Sequence, residues 1–93
     1  DILPDAVMVI DGRRRIVEAN PAAKRILHLG EDAIGRRMET PYSIARHLDT
    51  LGDVAQKADV EVPELARVFE VASEPLDGRG RPGGRLLVLR DIT

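Results

Sequence analysis

The sequence predicts an α+β domain: one antiparallel sheet of about five strands with short helices packed on one face. Three observations predict it. Strand-like runs occupy both ends of the chain and helical patterns occupy its middle. Strands and helices do not alternate throughout, as a doubly wound sheet requires. The last strand-like run, RLLVLRDI, carries apolar side chains on both faces, since Leu86 and Val88 share one and Leu87 and Leu89 the other. One face takes the helices, and the other needs a second covering surface.

The elements follow in order. Residues 6–10, AVMVI, form a short apolar run closed by Asp11-Gly12, and RIVEA at 15–19 resumes with β-branched residues, so the two read as a hairpin. Asn20-Pro21 then opens a helix, because Asn caps through its side chain and Pro at the first position has no N–H to leave unpaired. Ala22, Ala23, Ile26 and Leu27 recur at helical spacing, and Gly30 reads as the stop. Thr40-Pro41 repeats the cap-and-proline signal before the longest helical pattern. There Ile44, Leu48, Leu51 and Ala55 fall within about 60° of each other on a helical wheel. Gly52 and Asp53 allow that helix to break in two. A short strand is expected around Val60 to Val62, stopped by Pro63. A long hairpin closes the chain, from about Ala66 to Leu76 through the Gly-rich stretch 77–84 and back along 85–92.

Composition narrows function. The 93 residues are expected to form a single domain, a fragment of a longer protein, because the chain carries no Met start and ends abruptly after Asp91-Ile92-Thr93. Apolar residues make up 43% of the chain, but ten of them are Ala and the only aromatics are Tyr42 and Phe69. The core is therefore aliphatic and thin, and a domain of this size has little stability in reserve. The absence of Cys excludes disulfides, thiolate metal sites and cysteine nucleophiles. No apolar run approaches the ~20 residues that span a bilayer, and the acidic start lacks signal-peptide character. With 14 Lys and Arg against 16 Asp and Glu, the charge balance carries no nucleic-acid footprint. No direct membrane contact is expected either.

No arrangement of residues points to catalysis. Two His residues, His28 and His47, do not make a metal site without carboxylates at ligand spacing. His28 ends the first helix, where a cation suits the dipole. The Gly-rich stretch lacks a P-loop ending and lies between strands, so it reads as a hairpin turn. Arg13, Arg14 and Arg15 in one turn and Arg79, Arg81 and Arg85 in the other read as solvated turn residues, with docking of an acidic surface as the alternative.

Two segments carry a family resemblance. The opening LPDAVMVIDGRRRIVEANPAAKRIL and the close FEVASEPLDGRGRPGGRLLVLRDIT resemble the first and last parts of PAS domains, and the order of elements fits throughout. The stretch from about Gly35 to Glu64, where PAS domains differ and hold ligands, matches no recognisable pattern. The resemblance implies a PAS-like fold and a sensory or interaction module of a bacterial signalling protein, most like those of sensor histidine kinases. It implies a homodimer, a C-terminal effector domain, cytoplasmic placement, and the exit residues Arg90, Asp91 and Thr93 as the mechanical relay. Asp91 and Thr93 also read as simple caps of a following helix.

The resemblance also names cofactors to consider. In haem-binding PAS domains the axial ligand is a His on a helix in this part of the chain, which makes His47 the haem candidate; the alternative is a partly buried surface His. Flavin photoadduct chemistry is excluded because it needs a Cys. A small apolar or weakly polar ligand held between Met8, Ile26, Ile34, Leu48, Leu51 and Phe69 is the remaining option, beside a closed core with no ligand, which is the preferred reading. Three functions therefore stand: a ligand-sensing relay to a kinase, a ligand-free spacer or docking domain, and a haem gas sensor.

Overall fold

The computed structural model describes residues 5–39, 41–51, 54–76 and 83–93. Five strands, β1 (Ala6–Ile10), β2 (Ile16–Ala19), β3 (Gln56–Val62), β4 (Arg67–Pro75) and β5 (Arg85–Asp91), form one antiparallel sheet in the order β2-β1-β5-β4-β3. Two helices, α1 (Pro21–Ile26) and α2 (Tyr42–Leu48), lie between β2 and β3 in the chain. The α+β architecture predicted from the sequence is the one observed. The first and last strands become neighbours at the centre of the sheet, with Ala6 opposite Leu89 and Met8 opposite Leu87.

The β1–β2 turn is built by Asp11, whose Oδ1 accepts the backbone N–H groups of Arg13 at 2.8 Å and Arg15 at 2.9 Å. Arg14 takes the left-handed conformation between them, at φ 64°. Asn20 caps α1 as expected, accepting from the Ala23 N–H at 2.8 Å, and Pro21 fills the first position. Asn20 does more than cap. Its Oδ1 also accepts the Val7 N–H at 3.0 Å, and its Nδ2 donates to the Asp5 carbonyl at 2.9 Å, so one side chain fastens the helix to the edge of β1. The helix ends before the expected Gly30, because His28 adopts the left-handed conformation at φ 58° and reverses the chain there.

The middle differs most from the sequence reading. The apolar stripe over Ile44, Leu48, Leu51 and Ala55 is not one helix: α2 stops at Leu48, Leu51 is half-buried in coil and Ala55 is exposed. The expected break at Gly52-Asp53 and the Thr40 cap lie outside the described residues. Thr50 Oγ1 donates to the His47 carbonyl at 2.7 Å, and the Arg14 guanidinium donates to the Leu48 carbonyl at 3.3 Å. These bonds take carbonyls that a longer helix would have used itself. Residues 56–59, which precede the strand expected around Val60 to Val62, are strand as well. β3 pairs with β4 over its whole length, from Gln56 opposite Ser73 to Val62 opposite Arg67. Gln, Lys and Asp are poor strand formers, and the ladder overrides that preference. A 3₁₀ turn at Pro63–Leu65 and a left-handed Ala66 reverse the chain into β4. Most of the Gly-rich turn, residues 77–82, lies outside the described residues.

The two faces of the sheet divide cleanly. Met8, Phe69, Val71, Leu87 and Leu89 point inward and are at most 1% exposed, packed with Ile44 and Leu48 of α2 and Ala23 of α1. Val7, Val9, Ala72, Leu86 and Val88 occupy the other face and stay half-exposed.

Candidate functional site

The expected pocket residues separate into three environments. Met8, Leu48 and Phe69 are interior, at 0%, 4% and 0% exposure, and Ile26 and Leu51 pack half-buried against the same cluster. Ile34 does not join them: it is 39% exposed. The cause is local. A 3₁₀ turn at Glu31–Ala33 ends on Ile34 in an extended conformation, and Gly35 at φ +88° then turns the chain back. Met8, Leu48 and Phe69 join one buried apolar cluster with Ile44, Leu87 and Leu89.

Among the described residues, clefts open at the rim of the core. One, of about 450 Å³, lies between the β1–β2 turn, the end of α2 and the adjoining ends of β4 and β5. Leu48 and Leu51 line it together with Ile10, Pro75, Arg14 and Arg85. Arg14 reaches across its mouth, pairing with the Asp49 carboxylate and donating to the Leu48 carbonyl. Arg85 shares the strand parity of Leu87 and Leu89, so its side chain starts from the inner face. Its Nη1 is shut off from solvent and meets no acceptor among the described residues. Reading Arg85 as a solvated turn residue overlooks this parity, which was already visible two positions before Leu87.

A shallower cleft of about 360 Å³ lies along α2 between Tyr42, Ser43, Arg46, His47 and Thr50. His47 Nε2 is buried there without a partner among the described residues, and burial pushes its pKa below the usual histidine range, favouring neutral imidazole. A haem needs apolar walls on both sides of the ring. The neighbours of His47 in this cleft are Ser43, Arg46 and Thr50, and the apolar interior beyond is occupied by Ile44, Leu48 and Phe69, so these residues do not fit a haem. Among the described residues no cluster of three His or acidic side chains is placed to hold a metal.

α2 has no side-chain cap of its own, since its N-cap residue is Pro41. Glu64, from the turn between β3 and β4, supplies one: its carboxylate accepts the Ser43 N–H and hydroxyl, each at 2.7 Å. Those bonds hold the Glu64 carboxyl below its ordinary range.

The C-terminal exit is bonded to the start of β4. Asp91 Oδ1 accepts from Thr93 through its N–H at 3.0 Å and its hydroxyl at 2.6 Å, and the other carboxylate oxygen pairs with Arg67. Thr93 Oγ1 in turn accepts the Val68 N–H at 3.0 Å, and the Ile92 N–H donates to the Val68 carbonyl at 2.9 Å. Thr93 first, and Arg67 after it, hold the Asp91 carboxyl below the usual carboxylate range. Arg90 is exposed on the opposite face, paired in register with Glu70. Of the three expected relay residues, Asp91 and Thr93 are brought together and Arg90 stands apart.

Among the described residues no helix is long and apolar enough to cross a membrane. No curated protein sequence matches the chain. Solved structures with the same fold include a domain of an HTR-like protein from Haloarcula marismortui, at TM-score 0.80 and 21% identity, covering 98% of this chain and all of that one. A domain of a putative light and redox sensing histidine kinase from the same organism matches at TM-score 0.73 and 16% identity, over 100% of this chain and 93% of that one. The photoactive yellow protein domain of the sensor histidine kinase Ppr from Rhodospirillum centenum matches at TM-score 0.64 and 21% identity, over 97% and 87%. A protein-family model described as PAS domain matches residues 1–59, which include both N-terminal strands, both helices and the start of β3. The chain belongs to the PAS domain family.

Proposed function

We propose that this PAS domain is a non-catalytic sensory module of a signalling protein, working as a homodimer and relaying a change in its core to an effector that follows Thr93. A histidine kinase is the effector this reading favours, with the module on the cytoplasmic side. The observation that carries the reading is the outer face of β1, β5 and β4. Val7, Val9, Leu86, Val88 and Ala72 form one apolar surface there, and no described element covers it. A second copy can bury such a surface. The exit supports the relay. Asp91 and Thr93 tie the end of β5 to the first residues of β4, so a shift between these strands reaches the chain that follows.

Sedimentation equilibrium tests the dimer. The expected result is a dimer for the natural sequence and a monomer for Val88→Glu, with circular dichroism unchanged. A monomeric natural sequence, or a Val88→Glu variant that remains dimeric, overturns it. For the relay, Asp91→Asn and Thr93→Ala are expected to alter the output of the full-length protein while the domain stays folded, and unaltered output overturns that role. The full burial of Met8, Ile44 and Phe69, each at 0% exposure, favours a second reading, a ligand-free spacer that holds two chains in register. That reading expects the dimer and the exit effects to persist with no small molecule altering either.

A further inference from the structure

The element least able to stand alone is α2, seven residues with no side-chain cap of its own, packed on β3 and on the turn that follows it. Ser43 and His47 lie one turn apart on one side of this helix. At Ser43 the Glu64 carboxylate holds the helix from outside, and at His47 the Nε2 atom is sealed from water and meets no acceptor among the described residues. Neutral imidazole tolerates that position, because its single N–H can reside on Nδ1 and leave Nε2 with a lone pair. Imidazolium does not, since both nitrogens then carry a proton and Nε2 becomes a buried donor with nothing to bond. No water touches Nε2 in the docked helix, so the second proton is gained and kept only when α2 has moved off its seat. The surroundings offer the cation no compensation. β3 turns Ala58, Val60 and Val62 toward the interior that α2 covers, while Lys57, Asp59 and Glu61 alternate to the other face. Glu64 is engaged by Ser43 and Asp49 by Arg14, and Arg46, which lines the cleft with His47, repels a second cation. Burial alone lowers the His47 pKa, in keeping with that geometry.

We propose that α2 is an acid-released latch, with protonation of His47 loosening the helix from β3 while the sheet stays paired. The neutral ring is the docked one, so α2 is fully seated above the ordinary histidine value of 6.5 and loosens as pH falls below it. The Glu64 clasp gives way only in stronger acid, below 4.5. Ile44 and Leu48 of the same helix share the buried cluster with Phe69, whose register partner is Asp91 at the chain exit. The latch deepens the sensory reading, with acid as the signal, and rests on it only for what release would convey; the release is measurable on this chain alone.

The test measures amide hydrogen exchange of the ¹⁵N-labelled 93-residue chain at about pH 7.5 and about pH 5.5, on either side of the histidine range, each rate being divided by the intrinsic rate at that pH. Protection of Ala45, Arg46 and Leu48 in α2 is expected to fall at least fivefold on acidification, while protection of Met8, Val71 and Leu89 in the sheet changes less than twofold. His47→Phe, which keeps a ring and removes the titrating nitrogen, is expected to abolish the fall, and His28→Gln to leave it as it is. Should His47→Phe not fold, the natural sequence decides alone, by whether the His47 ring resonances titrate with the same midpoint as the fall. An α2 indifferent to acid, a sheet that loosens as much as the helix, a fall that survives in folded His47→Phe or disappears in His28→Gln, or separate midpoints overturns the proposal. A chain that releases α2 in acid yet fails the dimer and relay tests retains the latch and loses the sensory reading.

Discussion

Leu87 and Leu89 stand on the same strand as Leu86 and Val88, one residue apart, yet the first pair is fully buried and the second half-exposed. The four side chains are of one chemical kind, so composition does not separate them. Strand parity sends them to opposite faces, and only the inner face is sealed, by two helices of six and seven residues. Helices this short do not persist alone in water. They hold because they are fastened from outside their own length, α1 through Asn20 to β1 and α2 through Glu64 at one end and Arg14 at the other. The inner face thus owes its burial to a few polar clasps as much as to its own apolar content.

This contrast can be broken at graded cost. Leu87→Ala is expected to destabilise the domain most, by about 2–5 kcal/mol, since it removes a fully buried side chain from the core. Chemical denaturation measures it, and a loss no larger than for Leu86→Ala would erase the distinction between the faces. Asn20→Ala removes the cap of α1 and the two hydrogen bonds that tie it to Asp5 and to Val7 of β1, and is expected to cost about 1–3 kcal/mol. Amide exchange should show the added opening concentrated at α1 and the edge of β1; loss spread evenly over the sheet would mean that Asn20 is no clasp. Val88→Glu on the outer face is expected to change the stability of the monomer by less than about 1 kcal/mol, as surface substitutions do, while abolishing self-association.

The smallest effect is expected at Glu64. Its folded pKa is depressed by the Ser43 bonds, so its stabilising contribution is complete above the unfolded value near 4.5 and disappears as pH falls through the lower folded value. Glu64→Gln is therefore expected to lower the melting temperature slightly at pH 7 and to match the natural sequence in acid below both values. A difference that persists there would assign the effect to shape instead of charge.

How legible the molecule was in its sequence follows the same division. The Asn20-Pro21 entry, the Asp11 turn and the alternation of β4 and β5 are local, with short-range chemistry that allows one reading. The helical stripe through Leu51 and Ala55 misled because periodicity alone does not register where a chain must turn to reach its partner strand. The strand expected around Val60 to Val62 begins earlier, at Gln56, because cross-strand pairing with β4 outweighs weak strand propensity at 56–59. The candidate pocket was legible only in part. Met8, Leu48 and Phe69 were recognisable as interior, whereas Ile34 was turned out by a 3₁₀ element that leaves no periodic trace.

The sequence by itself determined the α+β class, the caps and turns at the first helix, the two-sided apolar character of the last strand and the absence of cysteine chemistry. These depend on residues within a few positions of each other or on composition. Only the tertiary structure decided that one guanidinium nitrogen of Arg85 would be shut off from solvent with no acceptor among the described residues, that Glu64 would cap a helix 21 residues away, and which apolar face no described element covers. Those outcomes require distant segments to meet, and whether a polar group is satisfied depends on what meets it, not on its own identity.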